Sequence, residues 1–144
     1  MSDFVQYDIT KLSQLKTVAK QFATELQRPS VLALSGELGA GKTTFTQFLL
    51  QALGVSESVT SPTFTIVNEY TTKTNQLIYH LDLYRIKTPQ ELAAIGIEEL
   101  LEQADYTIIE WPEMAKSYLP LDSLDLQFSL INDKRTLSIR TKNN

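Results

Sequence analysis

The stretch Leu32-Ala33-Leu34-Ser35-Gly36-Glu37-Leu38-Gly39-Ala40-Gly41-Lys42-Thr43-Thr44 constrains this chain more than any other. It contains a complete G-x-x-x-x-G-K-[ST] loop, a pattern with a mechanical reading. Gly36 and Gly41 bracket the loop, and Gly39 adds a third position free of Cβ. Successive backbone N–H groups can then converge on phosphate oxygens as a nest. Lys42 sets a cation on the β/γ-phosphates, and Thr43 offers a hydroxyl to Mg²⁺. A helix beginning here adds the positive end of its dipole. The flanks agree. An apolar run from Val31 to Leu34 precedes the loop, as a buried strand should, and Phe45, Phe48, Leu49, Ala52 and Leu53 follow at helical spacing. With Gly at ~7% of residues, the string arises by chance in so short a chain roughly once in a hundred cases.

At 144 residues the chain is long enough for one domain, 1–144, with its own core. No run approaches the ~20 apolar residues that cross a bilayer. The segment Met1-Ser2-Asp3-Phe4 lacks the basic and apolar regions of a signal peptide. The lack of cysteine excludes disulfides and thiol chemistry and suits a reducing compartment, so a cytoplasmic location without membrane association is expected. A net charge of −4 offers no basic patch for nucleic acid, so any RNA connection should run through a partner. One histidine and no cysteine argue against zinc. The hard cation implied by a phosphate loop is Mg²⁺.

Phe4, Tyr7 and Ile9 suggest a first strand. Leu12, Leu15, Val18, Ala19, Phe22, Ala23 and Leu26 recur at three and four, which predicts a helix capped by Thr10 or Ser13 and ended by Arg28-Pro29-Ser30. Gly54 stops the helix after the phosphate loop. Val59-Thr60-Ser61-Pro62-Thr63-Phe64 reads as a constrained loop with exposed hydroxyls. A strand through Ile66, Val67 and Tyr70 then returns, across the polar connection Thr71 to Gln76, as a strand from Leu77 to Tyr84. There Ile78, His80, Asp82 and Tyr84 share one face, which is either a functional face or a solvated edge. Thr88-Pro89-Gln90-Glu91 opens a helix, Gly96 interrupts it, and Ile97, Leu100 and Leu101 suggest another. Leu124, Leu126, Phe128 and Leu130 alternate, Asn132-Asp133-Lys134-Arg135 turns, and Leu137 and Ile139 complete a C-terminal hairpin ahead of a polar tail from Thr141.

Two segments compete to deliver an acid to Mg²⁺, Ile78–Asp82 and Tyr106–Glu110. The second is the more uniformly apolar, as a strand buried on both faces should be, so Glu110 is the preferred metal-directed acid. Asp82 is then a second acid or a water-positioning group. Glu110 could instead serve as a first-turn acid ahead of Pro112. Trp111, the only tryptophan, reads as a packing residue, and its position beside Glu110 predicts that its fluorescence changes when nucleotide binds.

Gly36-Glu37-Leu38-Gly39-Ala40-Gly41-Lys42-Thr43, Ser61-Pro62-Thr63-Phe64, His80-Leu81-Asp82-Leu83-Tyr84-Arg85 and Glu110-Trp111-Pro112-Glu113 together resemble the TsaE (YjeE) family of bacterial ATPases. The match spans nearly the whole chain. The resemblance implies an α/β phosphate-loop fold with a mixed central sheet flanked by helices. It implies ATP binding and slow hydrolysis with the TsaD and TsaB proteins in threonylcarbamoyladenosine synthesis on tRNA. There the family member resets the complex rather than transferring the carbamoyl group. Carried over, Glu37, Leu38, Gly39, Ala40, Gly41, Lys42, Thr43 and Thr44 hold phosphates, Thr43 and Glu110 coordinate Mg²⁺, and Asp82 is catalytic or metal-associated. Thr10 and Lys134 fall where the family contacts the nucleotide, and Ser61 and Thr63 would form a switch-like loop. Arg85 and Arg135 are the nearest candidates for stabilising transition-state charge, as is an arginine from a partner.

A metabolite kinase is the main competing class, but the chain has four arginines and no lid-length insertion. A non-catalytic nucleotide-binding adaptor would tolerate loss of Asp82 or Glu110, and both are present. No N-K-x-D element for reading guanine occurs.

Overall fold

The computed structural model describes residues 5–37, 39–56 and 66–141. Leu38, Phe4, the Val59–Phe64 loop and residues 142–144 lie outside the described residues. In chain order the elements are β1 (Val5–Asp8), α1 (Leu12–Glu25), β2 (Ser30–Ser35), α2 (Lys42–Ala52), β3 (Val67–Thr71), β4 (Leu77–Asp82), α3 (Pro89–Ala94), α4 (Ile97–Gln103), β5 (Tyr106–Glu110), a 3₁₀ helix (Pro112–Tyr118), β6 (Leu124–Ile131) and β7 (Lys134–Thr141).

The strands form one mixed sheet in the order β1-β7-β6-β2-β5-β4-β3. Its centre, β6-β2-β5-β4, is parallel, and both flanks are antiparallel. The apolar strands occupy the middle, as burial on both faces requires: every residue of β5 is buried. Side-chain alternation then divides the core. Leu32, Leu34, Ile78, Ile108, Leu126 and Phe128 face α1 and α2, where Phe45 meets Phe128 edge-on at 5.5 Å. Val31, Ala33, Leu81 and Ile109 face α3, α4 and the 3₁₀ helix through Leu92, Ile97 and Ala115. Burial of each large side chain contributes about 1.5–3 kcal/mol.

Two local expectations are corrected here, and one open alternative is decided. The N-cap of α1 is Lys11, whose backbone N–H donates to the Gln14 side chain at 2.8 Å. Thr10 turns away because its hydroxyl donates to Asp8 Oδ1 at 2.6 Å and accepts the Arg135 N–H of β7 at 3.0 Å. Strand β4 ends at Asp82 rather than Tyr84, because Asp82 Oδ1 accepts the Tyr84 N–H at 3.0 Å and bends the chain into a turn. The face carrying Ile78 and His80 is not a solvated edge. Strand β3 takes the edge, and both residues are fully buried.

In the C-terminal hairpin the turn itself is Asn132-Asp133, both at positive φ (51° and 65°), as a tight two-residue connection demands. Lys134 and Arg135 already belong to β7, paired with Ile131 and Leu130. Thr141 also belongs to the strand, paired with Leu124.

Candidate nucleotide site

The loop between β2 and α2 takes its shape from glycines. Gly36 has φ 138°, and a Cβ there would stand 2.3 Å from the Phe128 carbonyl oxygen, so the β2 end passes β6 only without a side chain. Gly41, at φ 114°, is the N-cap of α2. Left-handed glycines at the start of a helix turn backbone N–H groups toward one point, the requirement for holding an anion. Ala40 is buried beneath the loop, and its N–H closes a turn on the exposed Glu37 carbonyl at 3.3 Å.

Lys42 opens α2 and is buried. Its Nζ donates to the Gly36 carbonyl at 2.6 Å and lies 3.8 Å from the centre of the Trp111 ring. Burial pulls its ammonium below the ordinary lysine value of 10.5, while Glu110, Asp82 and Glu113 act in the opposite direction.

The two competing acids are neighbours. Parallel register pairs Asp82 with Glu110, and Glu110 with Leu34 on the far side. Both carboxylates therefore stand at the same end of the sheet, on the α2 face, beside the loop that follows β2. Glu110 is buried, and its Oε2 lies 2.6 Å from His80 Nε2. His80 Nδ1 has no partner among the described residues, so this bond fixes the ring. Immediately after Glu110 the chain holds Trp111 at φ 56° and ψ 62°, a conformation bulky residues avoid.

A cleft of about 420 Å³ joins these groups, a volume typical of small-ligand sites. Gly39, Gly41, Lys42, Thr43, Thr44, Asp82, Glu110 and Trp111 line one part. Ile9, Thr10, Leu12, Leu15 and Arg135 line the other. Arg135 Nε donates to the Gly39 carbonyl at 3.0 Å, which ties the hairpin to the phosphate loop.

The family model described as threonylcarbamoyl adenosine biosynthesis protein TsaE matches residues 9–138. The chain belongs to the TsaE family. It is similar to the Rickettsia bellii protein named tRNA threonylcarbamoyladenosine biosynthesis protein TsaE, with 38% identity over 125 residues, 86% of this chain and 85% of that one. The Haemophilus influenzae protein of the same name is 34% identical over 149 aligned positions, 100% of this chain and 93% of that one. Among solved structures, that of Bacillus subtilis YdiB superposes with a TM-score of 0.81 at 28% identity, covering 98% of this chain and 87% of that one.

Most positions carried over from the TsaE resemblance meet in the cleft: Thr10, Gly39, Gly41, Lys42, Thr43, Thr44, Asp82 and Glu110 all line it. Glu37 and Ala40 shape the loop without lining the cleft, and Leu38 lies outside the described residues. Lys134 is exposed at the start of β7, and the hairpin side chain that lines the cleft is its neighbour Arg135. Alternation along β7 explains the exchange, since successive residues point to opposite faces. Arg85 is exposed and does not line the cleft. The nearness of Trp111 to the cleft follows from its place beside Glu110, but sequence reasoning missed its contact with Lys42 and missed His80 as the partner of Glu110. The His80-x-Asp82 spacing gave a signal for the shared face, but not for the neighbour across it.

Proposed function

We propose that this chain binds and hydrolyses ATP with Mg²⁺ in this cleft, and that hydrolysis drives a switch on the TsaD and TsaB proteins during synthesis of threonylcarbamoyladenosine on tRNA. In this reading the whole chain acts as one cytoplasmic ATPase domain. The carbamoyl transfer belongs to the partners, and tRNA is met only through the complex. The observation that carries the reading is the meeting of Lys42, Thr43, Asp82 and Glu110 in one cleft at the end of the parallel strands. The names of the similar proteins supply the pathway.

The loop N–H groups and the Lys42 ammonium hold the phosphates and offset their charge. Among the described residues there is no cluster of three or more His, Asp and Glu side chains that could cage a metal. The cation would be held jointly with the nucleotide, with Thr43 and Glu110 as its protein ligands. When bound, Mg²⁺ neutralises charge on the β/γ-oxygens. His80 orients Glu110, and Asp82, half-buried at the cleft wall, orients the attacking water. Arg135 is the arginine of this chain that the cleft offers for transition-state charge. Among the described residues no helix is long and apolar enough to cross a membrane.

The test is ADP release and steady-state ATP hydrolysis measured with and without TsaD and TsaB. Stimulation by those two proteins is expected. Stimulation by a hydroxylic metabolite, with a phosphorylated product, would overturn the switch in favour of a kinase.

A further inference from the structure

Lys42 and Trp111 make a contact that the phosphate-binding role does not require. The ammonium sits 3.8 Å from the indole centre, well inside the range of a cation–π contact. Tyr84 packs against the same indole, its ring centre 5.0 Å from that of Trp111 at 59°. Tyr84 itself is 56% exposed. A tryptophan serving only the core would be buried, whereas Trp111 is half-buried and lines the cleft.

The backbone at Trp111 carries a cost. Its φ of 56° is unfavourable for a bulky residue, and Pro112 follows directly. The Trp111 N–H donates to the Leu34 carbonyl at 3.3 Å, so the end of β2 holds the strained residue in place. Strain of this kind persists where the side chain it aims has a task. Here the indole is aimed at the ammonium that the phosphate loop depends on.

We propose that Trp111 is a positioning residue that holds Lys42 in the phosphate-free protein, and that an incoming phosphate chain draws the ammonium off the indole. This rests on the reading of the cleft as a phosphate site. With the Gly36 carbonyl as its second partner, Lys42 stays in place without a ligand. Phosphate binding must then exchange the indole contact for phosphate oxygens, and the freed Trp111–Tyr84 pair reports the exchange at the surface.

The experiment uses inorganic pyrophosphate, with adenosine, which carries no phosphate, as the control. Calorimetry establishes whether pyrophosphate binds, and indole emission of the single tryptophan reads the exchange. Binding with a shift in emission is expected for pyrophosphate and no shift for adenosine. Lys42→Met should show altered emission before any ligand is added. Trp111→Leu should bind pyrophosphate about three- to tenfold more tightly than the parent, with Trp111→Phe between them, matching loss of a cation–π contact. Absence of pyrophosphate binding would overturn the phosphate reading itself. Binding with unchanged emission, an unaltered Lys42→Met spectrum, or weaker binding by Trp111→Leu would overturn the holding role alone.

Discussion

His80 and Glu110 meet diagonally across β4 and β5, with Nε2 and Oε2 2.6 Å apart and both residues buried. The bond joins a strand that carries one cleft acid to the strand that carries the other. It also leaves the imidazole with a single hydrogen bond among the described residues. Truncating His80 therefore strands a buried carboxylate. His80→Ala is expected to lower unfolding stability by about 3 kcal/mol, and to slow ATP hydrolysis far more than it weakens ATP binding. Chemical denaturation and paired measurements of rate and affinity check both. Equal losses in rate and affinity would show that His80 does not act through Glu110.

Lys42 and Glu110 should separate binding from turnover. Lys42→Ala removes the cation beneath the phosphates and should weaken ATP binding by about a hundredfold. Glu110→Ala should leave most of the affinity while reducing Mg²⁺-dependent hydrolysis. Rates measured with TsaD and TsaB present decide the point. Unchanged hydrolysis by Glu110→Ala would remove it from the metal site.

If the cleft binds ATP as proposed, the burial of Lys42 sets that binding a pH limit. Its folded-state value lies below the ordinary 10.5, chiefly through desolvation. The folded chain thus gives up this proton at lower pH than the unfolded chain does. Below the folded value the buried charge opposes folding, and that penalty fades as pH rises from the folded value toward 10.5. ATP affinity follows the opposite sense, because phosphate needs the ammonium. It should fall as pH rises through the folded value, before 10.5 is reached. Calorimetric titration from neutral to alkaline pH checks this. In Lys42→Arg, whose charge persists, the fall should vanish.

Gly36→Ala tests the passage of the phosphate loop against β6. A Cβ would fall 2.3 Å from the Phe128 carbonyl oxygen at a backbone φ of 138°. Neither the strand nor the loop can move without loss of pairing, so a destabilisation of about 2–4 kcal/mol is expected. Gly39→Ala meets nothing within 4 Å and should cost less despite its own positive φ. Thermal unfolding of the two variants gives the comparison.

Local chemistry was legible in the chain itself. The G-x-x-x-x-G-K-T string determined the loop, because only those residue types can aim backbone N–H groups and a lysine at one anion. The β-prone, largely apolar run Tyr106–Ile109 determined a doubly buried strand ending in Glu110. Thr88 and Pro89 determined the start of α3, where the Thr88 hydroxyl accepts the Glu91 N–H at 3.3 Å.

What the tertiary structure alone decided is adjacency. Alternation placed His80 and Asp82 on one face, but strand order and register set that face against Glu110 instead of solvent. Such pairings join residues far apart in the chain, and no local propensity encodes them. The same holds for Arg135, delivered to the Gly39 carbonyl by the hairpin register, and for Trp111, turned over Lys42 by a backbone conformation its own preferences oppose. Short-range sterics and hydrogen bonding write the elements into the sequence. The packing of those elements decides which side chains meet, and here it brings two candidate acids, one lysine and one indole into a single cleft.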